Sequence, residues 1–170
     1  MAKSDSKKSD KKAKAGKAGQ PEVQLVSDNR KARYNYEIID SLECGIQLAG
    51  SEVKSLRNGK LSLEEAYARV KDGEVWLVGA EISEYAQASI WNHVAKRPRK
   101  LLLRREQMRK FAGQAHEKGL TMVPLKVYFT DRGIAKVLLG LCRGKKMHDK
   151  RETLKKNDAK RDMARAIRRH

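Results

Sequence analysis

The chain has 170 residues and a formal net charge of +18, with 39 Lys and Arg against 21 Asp and Glu. This length suits one domain with tails, since domains most often contain roughly 100–150 residues. The cationic excess makes nucleic acid the leading class of partner and an acidic membrane surface its rival. No apolar run reaches the roughly 18 residues of a membrane span and no signal peptide is recognisable, so we expect a cytoplasmic protein that is not inserted in a membrane.

The first 27 residues place seven Lys among Ser, Asp, Ala and Gly. Such a composition buries too little apolar surface to offset the conformational entropy lost on folding. We therefore predict a disordered basic N-terminal extension over residues 1–27 and a folded domain over residues 28–143. The lysines of the extension either keep the chain soluble or contact a partner.

The first elements of the domain are predicted to be strands followed by a short helix. Apolar alternation predicts two strands within residues 34–49, where Gly45 allows a turn or a bulge. The helix is predicted to take Ser51 as its N-cap and to end at Asn58-Gly59. Its polar side chains are expected to face outward or sideways: Glu52, Lys54, Ser55 and Arg57.

Two hairpins and a second helix account for most of the remaining domain. Asp72-Gly73 between residues 67–70 and 75–82 is a strong hairpin signal. Apolar residues at helical spacing predict a helix over residues 104–118. A second hairpin is predicted from alternation in residues 125–129 and 135–141, on either side of the turn Thr130-Asp131-Arg132-Gly133.

About six short strands with two helices suggest a small closed or nearly closed antiparallel barrel, since closure removes exposed sheet edges. This pattern does not separate an oligonucleotide-binding barrel from another small β-rich fold. From residue 142 onward, 12 Lys and Arg stand against 4 Asp and Glu, with few apolar residues. We predict that the tail, residues 144–170, is disordered when free and helical only against a partner.

No catalytic constellation is visible, and we expect neither enzymatic activity nor a cofactor. The four His residues lack a nearby nucleophile motif, and no phosphate-binding loop is present. A basic nuclease using scattered carboxylates stays open, although no two of them are placed together around a metal. Cys44 and Cys142 stand alone, so the usual disulfide and zinc patterns are missing and both are expected to be reduced.

Basic residues form three clusters, at Asn29–Tyr34, Arg97–Lys100 and Arg143–Arg151. Three such clusters around one small barrel favour phosphate binding over a merely solvated surface, and their Arg content favours bidentate contacts. The loop over residues 83–100 also contains aromatic residues close in sequence to cations. Such a combination suits RNA, since the rings can stack on bases and the cations can contact phosphates.

Four motifs together resemble the SsrA-binding protein (SmpB) family: Asn29–Arg33 with Tyr36, Gly50–Lys60, Arg97–Leu103 and Gly144–Arg151. The resemblance covers residue 29 to the C-terminus. It implies a mainly β fold, a small antiparallel oligonucleotide-binding-type β-barrel with two or three short helices and a basic C-terminal tail. It also implies a non-catalytic adaptor that binds the tRNA-like domain of transfer-messenger RNA (tmRNA) and delivers it to stalled ribosomes.

The resemblance assigns separate roles to barrel and tail. The tmRNA-binding residues carried over are Arg30, Lys31, Arg33, Tyr34, Glu52, Lys54, Arg57, Arg97, Arg99 and Lys100. The tail residues carried over to the ribosomal decoding centre and empty mRNA channel are Lys145, Lys146, His148, Asp149, Lys150 and Arg151. A monomer is expected, and a structural rRNA-binding protein of the ribosome is the alternative. Tyr34, Ala95 and Ala159 depart from the residues usual in the family.

Overall fold

The structure, a computed structural model, describes residues 24–146 and, in the tail, residues 158–159, 161–165 and 167. The strands are β1 (Gln24–Asp28), β2 (Tyr36–Ile46), β3 (Leu61–Ser62), β4 (Tyr67–Lys71), β5 (Glu74–Val78), β6 (Glu81–Ile82), β7 (Arg99–Leu102), β8 (Thr121–Phe129) and β9 (Ala135–Gly144). The helices are α1 (Arg30–Asn35), α2 (Gly50–Arg57) and α3 (Arg105–Glu117), with a single 3-10 turn at Ser89–Trp91.

Six strands form a closed ring in the order β4-β5-β7-β2-β9-β8. The ring closes because β8 pairs with β9 and also with β4. Every pairing is antiparallel, β1 extends the sheet along β8, and β3 pairs separately with β6. The predicted small antiparallel barrel is confirmed, although nine strands in the described residues exceed the six predicted.

The core lies inside this ring, and strand alternation puts it there. Val137, Leu139 and Leu141 of β9 are each at most 1% exposed, as expected for residues at every second position of a strand. Helix α3 packs Phe111 into the same cluster, with Met108 partly buried beside it. The predicted helix and its apolar face are therefore confirmed. Fully burying each such side chain contributes about 1.5–3 kcal/mol.

Both predicted hairpins are present. Asp72 and Gly73 between β4 and β5 have φ of 53° and 71°, and positive φ at both central residues is typical of the type I′ turn that joins twisted strands. Between β8 and β9, the Thr130 N–H donates to the Ile134 carbonyl over 3.0 Å. Ile82, predicted in the strand after Asp72-Gly73, instead pairs with Leu61 in the separate sheet.

The predicted disorder of residues 1–27 is wrong for residues 24–27, which belong to β1. Gln24 pairs with Phe129 and Asp28 with Lys126 of β8, so the backbone polar groups of this segment find partners. Val26 is partly buried against the main core. The lysine-rich stretch ends before this strand begins. The prediction used the composition of residues 1–27 as a whole, and this average hid the strand at its end. Residues 1–23 lie outside the described residues.

The segment predicted as two strands contains the end of a helix and one long strand. Tyr34 and Asn35 belong to α1, and β2 continues without a turn through Gly45. The register shift of β2 lies between Ile38 and Asp40, so the bulge is not at the glycine. Gly45 instead permits close approach of β7, because a Cβ there would lie 3.2 Å from Leu102 Cβ.

The described tail residues are helical and exposed. Arg161 lies 3.5 Å from Asp158, and Arg165 lies 3.6 Å from Asp162, both at i,i+3 spacing. Exposed pairs of this kind contribute little to helix stability. The dependence of this helix on a partner stays a prediction. Among the described residues, no helix is long and apolar enough to cross a membrane.

Both cysteines are free and buried. Burial raises the pKa of Cys44 to about 12 and that of Cys142 to about 11, so little thiolate exists near neutral pH. We expect iodoacetamide at about pH 8 to label neither thiol in the folded protein and both in concentrated urea, as measured by mass spectrometry. Rapid labelling of either cysteine in the folded protein would contradict this.

Candidate RNA-binding surface

Helix α1 is anchored to the barrel by the buried side chain of Asn29. Its Oδ1 accepts from the Ala32 N–H over 2.9 Å, which caps the helix. Its Nδ2 donates to the carbonyls of Leu63 and Pro124, over 2.9 and 3.1 Å. Ala32 packs beneath the helix against the β8 and β9 residues of a small apolar cluster. The helix is thereby fixed with one side on the barrel and the other in solvent.

The outward side of α1 carries four predicted RNA-binding residues, all exposed: Arg30, Lys31, Arg33 and Tyr34. Lys31 lies 3.2 Å from Glu64, and Arg33 lies 3.4 Å from Asp28. The Lys31–Glu64 pair is exposed, so it is weak and readily exchanged for a phosphate contact, whereas Asp28 in the second pair is only 23% exposed. The side chain of Tyr34 is 37% exposed, which leaves ring surface for a base.

The root of the tail lies directly beside α1. Tyr36 at the start of β2 pairs with Gly144 at the end of β9. The Lys145 N–H donates to the Asn35 carbonyl over 2.9 Å, and Lys145 Nζ donates to the Arg33 carbonyl over 3.2 Å. A cation at the C-terminal carbonyls of a helix is favourable. The first and third basic clusters therefore form one continuous surface.

Lys145 and Lys146 are the tail residues of the prediction that the structure describes. The other predicted decoding-centre residues, His148, Asp149, Lys150 and Arg151, lie outside the described residues. Their assignment stays a prediction.

Glu52 on α2 is fully buried, so the prediction that it faces outward is wrong. Its two carboxylate oxygens accept from Arg97 Nε and Nη2 over 2.7 and 2.6 Å and from Arg99 Nε over 2.9 Å. Oε2 also accepts from the Ala49 N–H over 2.6 Å. Ala49, rather than Ser51, is the N-cap, and Glu52 satisfies its backbone donor. Two guanidinium groups and an N–H compensate the buried charge.

Arg99 is also fully buried and lies in β7, not in the predicted loop. Its guanidinium donates to the carbonyls of Ala80, Arg97 and Ala95 over 2.6, 3.0 and 2.9 Å. Because no part of this side chain reaches the surface, Arg99 positions the preceding loop rather than presenting a cation to a ligand. Of the other two cations in the basic cluster Arg97–Lys100, Arg97 has a side chain that is 35% exposed, and Lys100 forms an ion pair with Glu74 on β5.

The ionised form of Glu52 is the stable one. Burial acts to raise the pKa of this carboxyl, but the Arg97 hydrogen bond, the Ala49 N–H and the charges of Arg99 and Arg97 outweigh it and lower the pKa. A buried carboxylate that accepts several hydrogen bonds from cations is expected to behave in this way. Glu52 is therefore a fixed structural anion at neutral pH.

His93 is a positioning residue that the sequence did not reveal. It is 8% exposed, its Nδ1 lies 3.0 Å from Ser51 Oγ, and its Nε2 lies 3.1 Å from the Ile82 carbonyl. Since a carbonyl only accepts, Nε2 donates to Ile82. Asn92 beside it accepts from the Tyr85 N–H and donates to the Tyr85 carbonyl. His93 is polar and lies in a segment predicted as a loop, so nothing in the sequence indicated that its side chain would be buried.

Of the other α2 residues predicted to face outward or sideways, Lys54 and Arg57 are exposed as predicted. The prediction is wrong for Ser55, which is fully buried. Lys54 Nζ lies 5.4 Å from the centroid of the Tyr85 ring, within cation–π range. Arg57 lies beside the β8–β9 turn, close to Gly133. In the part of the chain that the structure describes, no group of three or more His, Cys, Asp or Glu is arranged to hold a metal ion.

An antiparallel barrel whose helix α1 presents Arg30, Lys31 and Arg33, with Lys145 of the cationic tail bonded beside them, is typical of a β-barrel RNA-binding protein. The family model for SmpB protein matches residues 26–169, so the chain belongs to the SmpB family. The resemblance carried by the four motifs is thus confirmed.

Individual relatives agree with this membership. The chain is 57% identical over 153 residues to an SsrA-binding protein of Rhodopirellula baltica, covering 90% of this chain and 87% of the relative. It is 52% identical over 150 residues to the SsrA-binding protein of Nitrobacter winogradskyi, covering 88% and 96%. A chain in a solved structure from work on tmRNA–SmpB and the bacterial ribosome superposes with a TM-score of 0.61 at 50% identity. That match covers 71% of this chain and 85% of the other.

Proposed function

We propose that this protein is the tmRNA-binding adaptor of trans-translation. It binds the tRNA-like domain of tmRNA and delivers that RNA to ribosomes stalled on messages without a stop codon. The observation that carries the proposal is the continuous basic surface formed by α1 and the start of the tail. The barrel beneath this surface is 50% identical to a chain of a solved tmRNA–SmpB structure. Ribosome association also supports the expected cytoplasmic location.

The grip on RNA is assigned to the exposed residues of α1, supported by α2. Arg30 and Arg33 present forked donors suited to bidentate phosphate contacts, and Tyr34 supplies a ring for stacking. Lys54, Arg57, Arg97 and Lys100 contribute further cations. Glu52 and Arg99 keep a role in tmRNA binding, but an indirect one, because their burial restricts them to holding α2, Arg97 and the loop over residues 83–98 in place.

The tail is assigned to the decoding centre and the empty mRNA channel. Its charge, 12 Lys and Arg against 4 Asp and Glu from residue 142 onward, suits a path lined by rRNA phosphates. Lys145, Lys146, His148, Asp149, Lys150 and Arg151 carry this role. We place the boundary between barrel and tail at Gly144, where β9 ends, and the start of the barrel at Gln24 rather than residue 28. Positioning and charge neutralisation are the whole of this activity, and no bond is made or broken by the protein.

The role of α1 in tmRNA binding is tested by replacing its two arginines together. We expect Arg30→Ala with Arg33→Ala to weaken tmRNA binding by roughly tenfold or more at about 150 mM salt, because each arginine contacts phosphate. The slope of log affinity against log salt is expected to fall by about two, as measured by filter binding across a salt series.

Lys110→Ala provides the control, because Lys110 is an exposed cation of α3 outside all four motifs. It removes one charge and is expected to leave the affinity nearly unchanged. An equal loss with Lys110→Ala would show diffuse attraction and contradict the assigned surface.

A further inference from the structure

Three large apolar side chains stand in solvent on the loop between β6 and β7. Ile90 is 86% exposed, Trp91 is 83% exposed and Val94 is 72% exposed. Tryptophan is usually well buried, and a contiguous exposed apolar group commonly marks a site of interaction. The aromatic rings of this loop were predicted in general terms to suit a stacked base, but none of these three residues is among the individual tmRNA-binding residues assigned above.

The loop that carries them is firmly held at its base. Trp91 closes the 3-10 turn with its N–H donating to the Ala88 carbonyl over 3.0 Å. On one side of the turn, Asn92 bonds both backbone groups of Tyr85. On the other, the buried side chains of His93 and Arg99 bond the carbonyls of Ile82 and Ala95. A rigid support under an exposed ring lowers the entropy that a ligand must remove on binding.

Two cations belong to this loop or contact it, and they indicate what the exposed ring binds. Lys54 lies over Tyr85, and Tyr85 is bonded to Asn92, the neighbour of Trp91. Arg97 donates its N–H to the Val94 carbonyl over 3.3 Å, and its guanidinium is partly exposed. A loop that bears an exposed tryptophan and Arg97, and that Lys54 contacts at Tyr85, fits a polyanion that carries flat rings, namely an RNA strand with unpaired bases.

We propose that Trp91 is a stacking platform for an unpaired base of the bound RNA, with Lys54 and Arg97 contacting the adjoining phosphates. The inference rests on the proposed function, because it names a second contact for the same RNA. A purely apolar protein groove fits less well, since it would leave these two cations facing an apolar partner. Stacking of one base on an aromatic ring is worth roughly 5- to 150-fold in affinity.

The two tryptophans of the chain make the contact directly measurable. Trp76 lies on β5 between Arg69 and Lys100 of the neighbouring strands. In Trp76→Phe, Trp91 is the remaining tryptophan, and we expect full-length tmRNA to quench its fluorescence strongly at saturation. In Trp91→Phe, Trp76 remains beside the assigned cation Lys100, and we expect clearly weaker quenching than from Trp91. A fully paired RNA duplex should leave Trp91 unquenched although it binds the cations.

Affinities for the same tmRNA separate stacking from apolar contact. We expect Trp91→Tyr to bind within about twofold of the unsubstituted chain, and both Trp91→Ala and Trp91→Leu to bind roughly tenfold more weakly. Leucine keeps apolar area but has no ring. Because Trp91 is exposed, these changes should leave the unfolding temperature unaltered, and this is checked by circular dichroism.

Three results would overturn the inference. The first is tmRNA binding without quenching of Trp91. The second is a Trp91→Leu affinity for tmRNA equal to that of Trp91→Tyr. The third is a loss of ribosome binding with tmRNA binding unchanged, which would indicate that Trp91 contacts the ribosome instead. If the unsubstituted chain failed to bind tmRNA at all, the proposed function would fall together with the inference.

Discussion

A chain ending at Lys146 is expected to bind tmRNA nearly as tightly as the full chain and to lose peptide tagging on stalled ribosomes. The exposed side of α1 and the complete barrel remain, so the RNA grip is intact. Lys145 also remains, with its bonds to the carbonyls of Asn35 and Arg33. What is lost is the tail beyond Lys146, with four of the six residues assigned to the decoding centre. Binding is measured by filter retention at about 200 mM salt, where diffuse attraction is weak, and tagging in a reconstituted translation system.

The point of truncation matters for this experiment. A chain ending at Gly144 lacks Lys145, so it removes both bonds to α1 in addition to the tail. We expect it to bind tmRNA more weakly than the chain ending at Lys146, because the C-terminal end of α1 loses its donors. Loss of tmRNA binding by the longer of the two chains would refute the separation of barrel and tail roles.

Glu52→Gln is expected to cost about 3 kcal/mol of unfolding free energy or more, because breaking a buried ion pair leaves Arg99 buried and uncompensated. The loop over residues 83–98 should loosen as well, since Arg99 and Arg97 lose the anion that orients them. Urea unfolding measures the first effect, and a lowered affinity for tmRNA reports the second.

The control is Glu64→Gln, which breaks the exposed pair with Lys31 and should change stability by at most about 1 kcal/mol.

The pH dependence of stability gives a second check. Because the pKa of Glu52 is lowered from its ordinary 4.5, its contribution is complete above that value and is lost as pH falls through the folded-state pKa. The stability gap between the unsubstituted chain and Glu52→Gln should therefore narrow in acid. Equal unfolding midpoints at neutral pH would disprove the structural role of this anion.

Local patterns in the sequence predict much of the barrel. Asp72-Gly73 predicts its hairpin because few residues tolerate positive φ twice in succession. Alternation along residues 135–141 predicts β9 because period two puts one side of a strand in the core. The family motifs then identify the RNA-binding role, since their order along the chain is specific even where each one alone is weak.

Long-range pairing explains what sequence could not reveal. Charged residues are rarely buried unless they are paired, so Glu52 and Arg99 were expected at the surface. Their pairing joins positions 47 residues apart, a distance over which periodicity carries no information. The strand at Gln24–Asp28 was missed for a related reason, because its partner is the far end of β8. Two-residue strands such as β3 are too short to show alternation.

The position of β9 also bears on how the protein is made. It is the last strand of the ring to be synthesised, yet it lies between β2 and β8 and pairs with both. A nascent chain released before residue 144 would expose two unpaired strand edges, which promote aggregation. Closure of the barrel must therefore wait until β9 has been translated.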